Sequence, residues 1–118
     1  MKKIAIVTGF VCFFTFAGTL VQSPVPFAFP NPAFLNDVGH VTLVVPAAAF
    51  VVKRVELYTA AGVYVRSLQS YHTHNAEKHY HWDGLDNEGI EVHSGVYIAY
   101  VVFDETERNT AFLFRVQR

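Results

Sequence analysis

Cysteine is almost missing from this chain of 118 residues, with Cys12 its only instance. Cys12 lies in an apolar N-terminal run, so the rest of the chain has no disulfide to staple it and no thiolate to ligate a metal. A cationic surplus is missing too. Lys and Arg number 9 against 10 Asp and Glu, a formal net charge of −1, which provides no basic footprint for nucleic acid and excludes it as a partner. Helical periodicity is absent from position 38 onward, and no Gly-rich loop precedes a helix, which excludes the phosphate-cradling architectures. Aromatics, in contrast, reach 15%, enough to fill a core and leave some rings on the surface.

The N-terminus reads as a targeting segment. Lys2 and Lys3 precede an uncharged apolar run over residues 4–21, the pattern of a secretory signal. Its length also sits at the lower edge of a bilayer span, so residues 1–23 are either a signal peptide or a membrane anchor, and membrane contact is confined to residues 4–21 if they are retained. Cys12 lies inside the apolar run rather than after it, which argues against a lipid anchor. Pro24, Pro26, Pro30 and Pro32 prevent the helix from continuing, because proline lacks the amide donor and clashes with the preceding turn. Residues 24–37 form a Pro-rich extended lead-in suited to a sheet edge. The remainder, residues 38–118, is long enough to bury roughly 60–65% of its unfolded surface without staples.

Strand signals fill that remainder. Residues 40–45, 52–59, 63–68, 78–82, 95–103 and 111–116 have β-branched and aromatic character and are separated by turn signals. Gly62 supplies the positive φ of a short hairpin loop. Residues 70–76 are polar and irregular. In 78–82 the two-residue period sends Tyr80 and Trp82 to one face and His79 and His81 to the other. Residues 95–103 are apolar on both faces and belong at a sheet centre. Short strands at about ten-residue spacing argue for an all-β sandwich.

Four signatures carry a family resemblance: Phe29-Pro30-Asn31-Pro32, the stretch from Val55 through Gly62 to Leu68, Trp82-Asp83-Gly84, and Ser94-Gly95-Val96-Tyr97. Over residues 27–118 the chain resembles the immunoglobulin-like domain of the bacterial flagellar hook-capping protein family. It also resembles, more loosely, the C-terminal sorting domains of gliding-bacterium secretion systems, which usually lack the Trp-Asp-Gly element. The resemblance implies a seven-stranded immunoglobulin-like β-sandwich, here behind an N-terminal signal or anchor helix. It makes Trp82 a core residue and gives Gly95 a close turn into the last hairpin.

The chemical candidates are few. His72, His74, His79 and His81 fall within ten residues, and His-x-His on a strand sends both rings to one side. Such pairs suit zinc, nickel or copper, set against the plainer reading of a tolerant, exposed segment. Asp83, Asp86, Asn87 and Glu88 precede Gly89 but miss the alternating calcium-loop spacing, and Asp or Asn beside glycine is an ordinary turn former. His93 and Ser94 are adjacent and face opposite ways, so they make no catalytic pair. Glu105 and Glu107 sit in a charged turn. No enzyme is expected and no cofactor is required. Tyr58, Tyr64, Tyr71 and Tyr100 form a candidate platform for a protein or for sugar rings, against the bland reading that tyrosine suits half-buried strands. Three functions stand as expectations: an exported module, in the periplasm, on the cell surface or outside, that binds protein or self-associates through sheet edges; a metal-binding envelope protein; or a carbohydrate-binding sandwich.

Overall fold

A computed structural model describes residues 25–46, 51–105 and 108–118. The expected signal or anchor segment lies outside the described residues, as do Pro24, residues 47–50 and Glu107. Among the described residues, nine strands and one short helix run in order: β1 Phe27–Phe29, β2 Ala33–Phe34, α1 Leu35–Val38, β3 Val41–Val45, β4 Val52–Thr59, β5 Tyr64–Leu68, β6 His72–His74, β7 Glu77–Trp82, β8 Gly95–Phe103 and β9 Thr110–Gln117. They form a five-stranded sheet in the order β2-β9-β8-β4-β5 and a four-stranded sheet in the order β1-β3-β7-β6. The described chain is thus almost wholly β and built as two sheets. All pairings are antiparallel except that of β9 with β2, which is parallel.

The strand count corrects the expectation of seven. The Pro-rich lead-in supplies two strands, one on an edge of each sheet, instead of one. Between them lies Pro30-Asn31-Pro32, where the Phe29–Pro30 and Asn31–Pro32 bonds are both cis and the Asn31 Oδ1 accepts the Arg115 amide at 3.0 Å. The second addition is β6, in a stretch whose sequence reads as irregular. The helix is also an addition: Leu35–Val38 makes a single turn that ends on Gly39 at φ 82°, whose amide donates to the Leu35 carbonyl.

The core lies between the sheets. Leu43, Val45, Tyr80 and Trp82 from the smaller sheet meet Val55, Leu57, Tyr97, Ala99, Val101, Phe114 and Val116 from the larger one. Trp82 is fully buried, its ring 5.4 Å from Tyr97 and 5.9 Å from Phe114, both edge-on. The indole crosses from one sheet to the other, and its Nε1 donates to the Leu85 carbonyl at 2.8 Å. The Tyr97 hydroxyl donates to the His93 carbonyl at 2.6 Å, tying the start of β8 to the loop before it.

Tyr80 is 1% exposed, and burial pushes its phenol up to about 12, with Tyr71 adding to the effect. Because the folded state holds the neutral phenol, its contribution is intact below pH 10 and is lost as pH rises from 10 through about 12. Denaturant midpoints measured across this range should reveal a loss of about 2–3 kcal/mol in the wild type that Tyr80→Phe removes.

Candidate functional site: two outward sheet faces

The outer face of the larger sheet is built by register. Tyr64 on β5 pairs with Tyr58 on β4, Tyr58 with Ile98 on β8, and Ile98 with Leu113 on β9. One row of apolar and tyrosine side chains therefore crosses four strands. Tyr64 is 47% exposed and Leu113 63%. The neighbouring row holds Ser67, Glu56, Tyr100 and Ala111. Tyr58, Gly62, Ile98 and Tyr100 line a shallow depression of about 260 Å³ between them.

Hydrogen bonds fix the rings of this face. Glu56 accepts from the Tyr58 hydroxyl at 2.8 Å and from Arg54 Nε at 2.6 Å. Burial alone would raise the Glu56 carboxyl, but those two hydrogen bonds and the Arg54 charge overcome it and hold the group below its ordinary value. Tyr58 is pushed up, first by the bond it gives Glu56 and then by burial. The Tyr64 hydroxyl lies 2.9 Å from Ser67 Oγ, and Asn109 Nδ2 donates to the Tyr100 hydroxyl at 3.2 Å. Pre-set rings lose little freedom on contact, which favours tyrosine as an interface residue.

Tyr71 does not belong to this group. It precedes β6 on the other sheet, where its ring packs 5.4 Å from Tyr80 and lies beneath Lys78 Nζ at 5.1 Å. The four-tyrosine platform is corrected to three, because the chain passes from one sheet to the other between Leu68 and His72.

The outer face of the smaller sheet gathers the histidines. His79 and His81 point away from the core on β7, opposite Tyr80 and Trp82, as the two-residue period requires. His72 pairs with His79 and His74 with Glu77 across the β6–β7 hairpin. Ring centres lie 5.4 Å apart for His72–His79, 4.9 Å for His72–His81 and 5.6 Å for His74–His79. A fifth ring, His40, packs edge-on at 4.8 Å from His81. Sequence reasoning missed it, since only the β3–β7 register brings position 40 beside position 81. Phe29 adds an edge contact to His79 at 6.3 Å. Beneath these rings Thr42 and Val44 are buried although they face away from the core. Burial first, then the charges of His40, His72 and His79, hold the His81 imidazole below its ordinary value. Among the described residues, no group of three or more His, Cys, Asp or Glu side chains is placed so that it could hold a metal ion.

The other expected positions serve the fold. The Asp83 Oδ1 accepts the Leu85 amide at 3.1 Å and Arg66 Nη1 at 3.0 Å. The Asp86 Oδ1 accepts the amides of Glu88 and Ile90, each at 2.9 Å. These carboxylates are engaged in building turns. Gly62 closes the β4–β5 turn, donating to the Thr59 carbonyl at 2.8 Å, and Gly89 donates likewise to Asp86 at 3.0 Å. Gly95 opens β8 opposite Val116, the first residue of the strand expected over 95–103. The Ser94 hydroxyl accepts the Arg118 amide at 2.9 Å, and the Arg118 guanidinium donates to the carbonyls of Val92 and Gly84. This clamp on the 84–94 loop had no signal in the sequence. The 83–89 turn also shields the open edge of β5, with the Asn87 amide donating to the Val65 carbonyl at 3.0 Å. Edge amides and carbonyls left free invite strand addition.

No protein-family model matches the chain, and no curated protein matches it. Among solved structures it is similar to PorZ, an essential bacterial surface component of the type-IX secretion system of Porphyromonas gingivalis, with a TM-score of 0.57 and 22% identity. The match covers 79% of this chain and 11% of PorZ, so the chain spans only a small part of that protein's length. At this identity the likeness shows a shared fold. It agrees loosely with the resemblance to secretion sorting domains and gives no support to the hook-capping family, so what stands is a two-sheet β domain similar to part of a secretion-system surface component.

Proposed function

We propose that this chain is an exported, non-enzymatic immunoglobulin-like module that binds a protein partner at the bacterial envelope. The observation that carries the reading is the row Tyr64–Tyr58–Ile98–Leu113, held outward across four strands of the larger sheet. Exposed apolar patches with tyrosine and a polar rim mark protein contact surfaces. Support for the immunoglobulin-like label comes from the strand orders β1-β3-β7-β6 and β2-β9-β8-β4-β5, which correspond to the two sheets of the seven-stranded fold with two additional edge strands, β2 and β5. The Tyr97–His93 bond occupies the place of its tyrosine corner. Two features depart from the antibody pattern: the described residues contain no cysteine, and the core tryptophan sits on β7 of the four-stranded sheet. The neighbour PorZ is a surface component of a secretion system, which supports an exported and envelope-associated reading.

The test is recovery of partner from envelope extracts by the wild type and by a Tyr64→Ser/Leu113→Ser double variant. Both positions are exposed, so the change in stability should be small, about 0.5 kcal/mol per site. Partner recovery should fall at least about tenfold, the loss expected when contact residues worth about 1.4 kcal/mol are removed. Tyr71→Ser, on the other sheet, should bind as wild type. Light scattering in parallel distinguishes self-association from a foreign partner; a strictly monomeric protein that recovers nothing defeats the reading.

A carbohydrate reading draws on the same Tyr64, which also borders a groove of about 350 Å³ with Arg66, Asp83 and Asn87. Binding on a glycan array lost with Tyr64→Ser would favour it over a protein partner.

A further inference from the structure

The outer face of the smaller sheet joins an aromatic edge to the histidines. Phe27 and Phe29 on β1 turn away from the core, as the burial of Ala28 between them requires. They are 44% and 46% exposed, with ring centres 6.1 Å apart. Thr42 and Val44 form the floor between this edge and the histidines of β7 and β6. Phe29 reaches the His79 ring at 6.3 Å, so the apolar and imidazole halves are continuous.

The two halves together suit one kind of surface. The strands of this sheet hold four histidines, and His40 flanks them. Glu77 is the one carboxylate on those strands, and it is already engaged with His79 at 3.2 Å. Lys78 turns the other way, over Tyr71. Imidazole is the side chain whose charge changes between about pH 5 and 8, so this face gains positive charge as pH falls. Such charge draws anionic headgroups, while apolar rings gain buried area at the acyl boundary. Burial and the charges of His40, His72 and His79 hold His81 below its ordinary value, and nearby phosphates oppose that effect. Chain connectivity brings a bilayer close. The uncharged apolar run over residues 4–21 ends six residues before Phe27, a separation that spans at most about 20 Å. A bilayer holding that run lies within reach of the phenylalanine edge. We infer that the outer face of the smaller sheet docks on an anionic lipid surface, with Phe27 and Phe29 at the headgroup–acyl boundary and the imidazoles toward the phosphates. The larger sheet's outer face then points away from the membrane.

The test places a photoreactive phenylalanine analogue at position 27 of the full chain, illuminated with vesicles of phosphatidylglycerol and phosphatidylcholine. Lipid adducts should form at least about tenfold more at about pH 5.5 than at about pH 7.5, since each charge near an anionic surface changes binding about fivefold. Vesicles of phosphatidylcholine alone should show no such gain. His72→Gln/His74→Gln, on a strand with every residue exposed, should lower the acid yield at least about tenfold. Phe29→Ser should lower it at least about fivefold, and His93→Gln, outside this face, should leave it unchanged. Circular dichroism of all variants confirms that the fold is kept. Equal yields at the two pH values, equal yields on neutral vesicles, or wild-type yield from the double histidine variant overturn the proposal. So does an equal yield from the same group at position 113 on the opposite sheet. In native envelopes, protein adducts at position 27 without lipid adducts also overturn it.

Discussion

Replacing Trp82 with alanine should cost about 3–5 kcal/mol of folding stability. The ring is fully buried, contacts Tyr97 and Phe114 on the opposite sheet, and donates to the Leu85 carbonyl. Its removal opens a cavity between the sheets and leaves a carbonyl without its donor, and both effects act in one direction. A domain of this size has about 5–15 kcal/mol in total, so the variant should be marginal or unfolded at 37 °C. Urea denaturation followed by circular dichroism measures the change, since the only indole is gone. Trp82→Phe should fall between, retaining most of the apolar contact while losing the hydrogen bond, at about 1–3 kcal/mol. A loss below about 1 kcal/mol for the alanine variant would mean that the indole is not what joins the sheets.

Gly84→Ala is the second large effect. Gly84 has φ +81°, and a Cβ there would collide with the Leu35 side chain and stand 2.7 Å from Arg118 Nη2. Leu35 is itself buried at 5% exposure, so it has little room to retreat. The left-handed backbone costs a non-glycine residue about 1–2 kcal/mol, and overpacking adds about 1–3 kcal/mol. The sum, about 2–5 kcal/mol, should appear in the same denaturation measurement. Gly62→Ala is the matched control. Its φ is +88°, but an added Cβ meets nothing within 4 Å, so it should lose the backbone cost alone, about 1–2 kcal/mol. Equal losses at the two glycines would show that packing against Leu35 and Arg118 is immaterial. Together with the Asp83 carboxylate bonds to Leu85 and Arg66, this explains the Trp82-Asp83-Gly84 triplet. An anchor is succeeded by a side chain that builds the turn, and then by the residue that can occupy it.

Sequence and structure agree where burial leaves a clear mark. The spans 52–59 and 95–103 match β4 and β8, because partial apolar alternation in the first and a continuous apolar run in the second, each ending at turn residues, leave few other readings. The disposition of β7, aromatics inward and histidines outward, comes from its two-residue period alone. The strand β6 escapes sequence reasoning for a physical reason. All three of its residues are exposed, so no apolar alternation advertises it. Its turn is Asn75-Ala76, both at positive φ, where a glycine would have signalled the hairpin. The lead-in reads locally as one edge but divides between two sheets, a choice made by long-range pairing that local composition does not encode. The tyrosine platform fails at Tyr71 for a similar reason, since a two-sheet fold separates residues that are close in sequence. Conversely, His40 joins the histidine face from a distant part of the chain, and Arg118 reaches the 84–94 loop. Both contacts depend on register and closure, which local sequence patterns do not display.

The most direct test of the binding face is site-specific photocrosslinking in native envelopes. A photoreactive side chain at position 113, at the β9 end of the outward row, should yield a discrete covalent adduct with a partner protein, and the same group at position 36 on α1 should not. Adducts at position 36 with none at position 113 would contradict the assignment of the larger sheet's outer face as the contact surface.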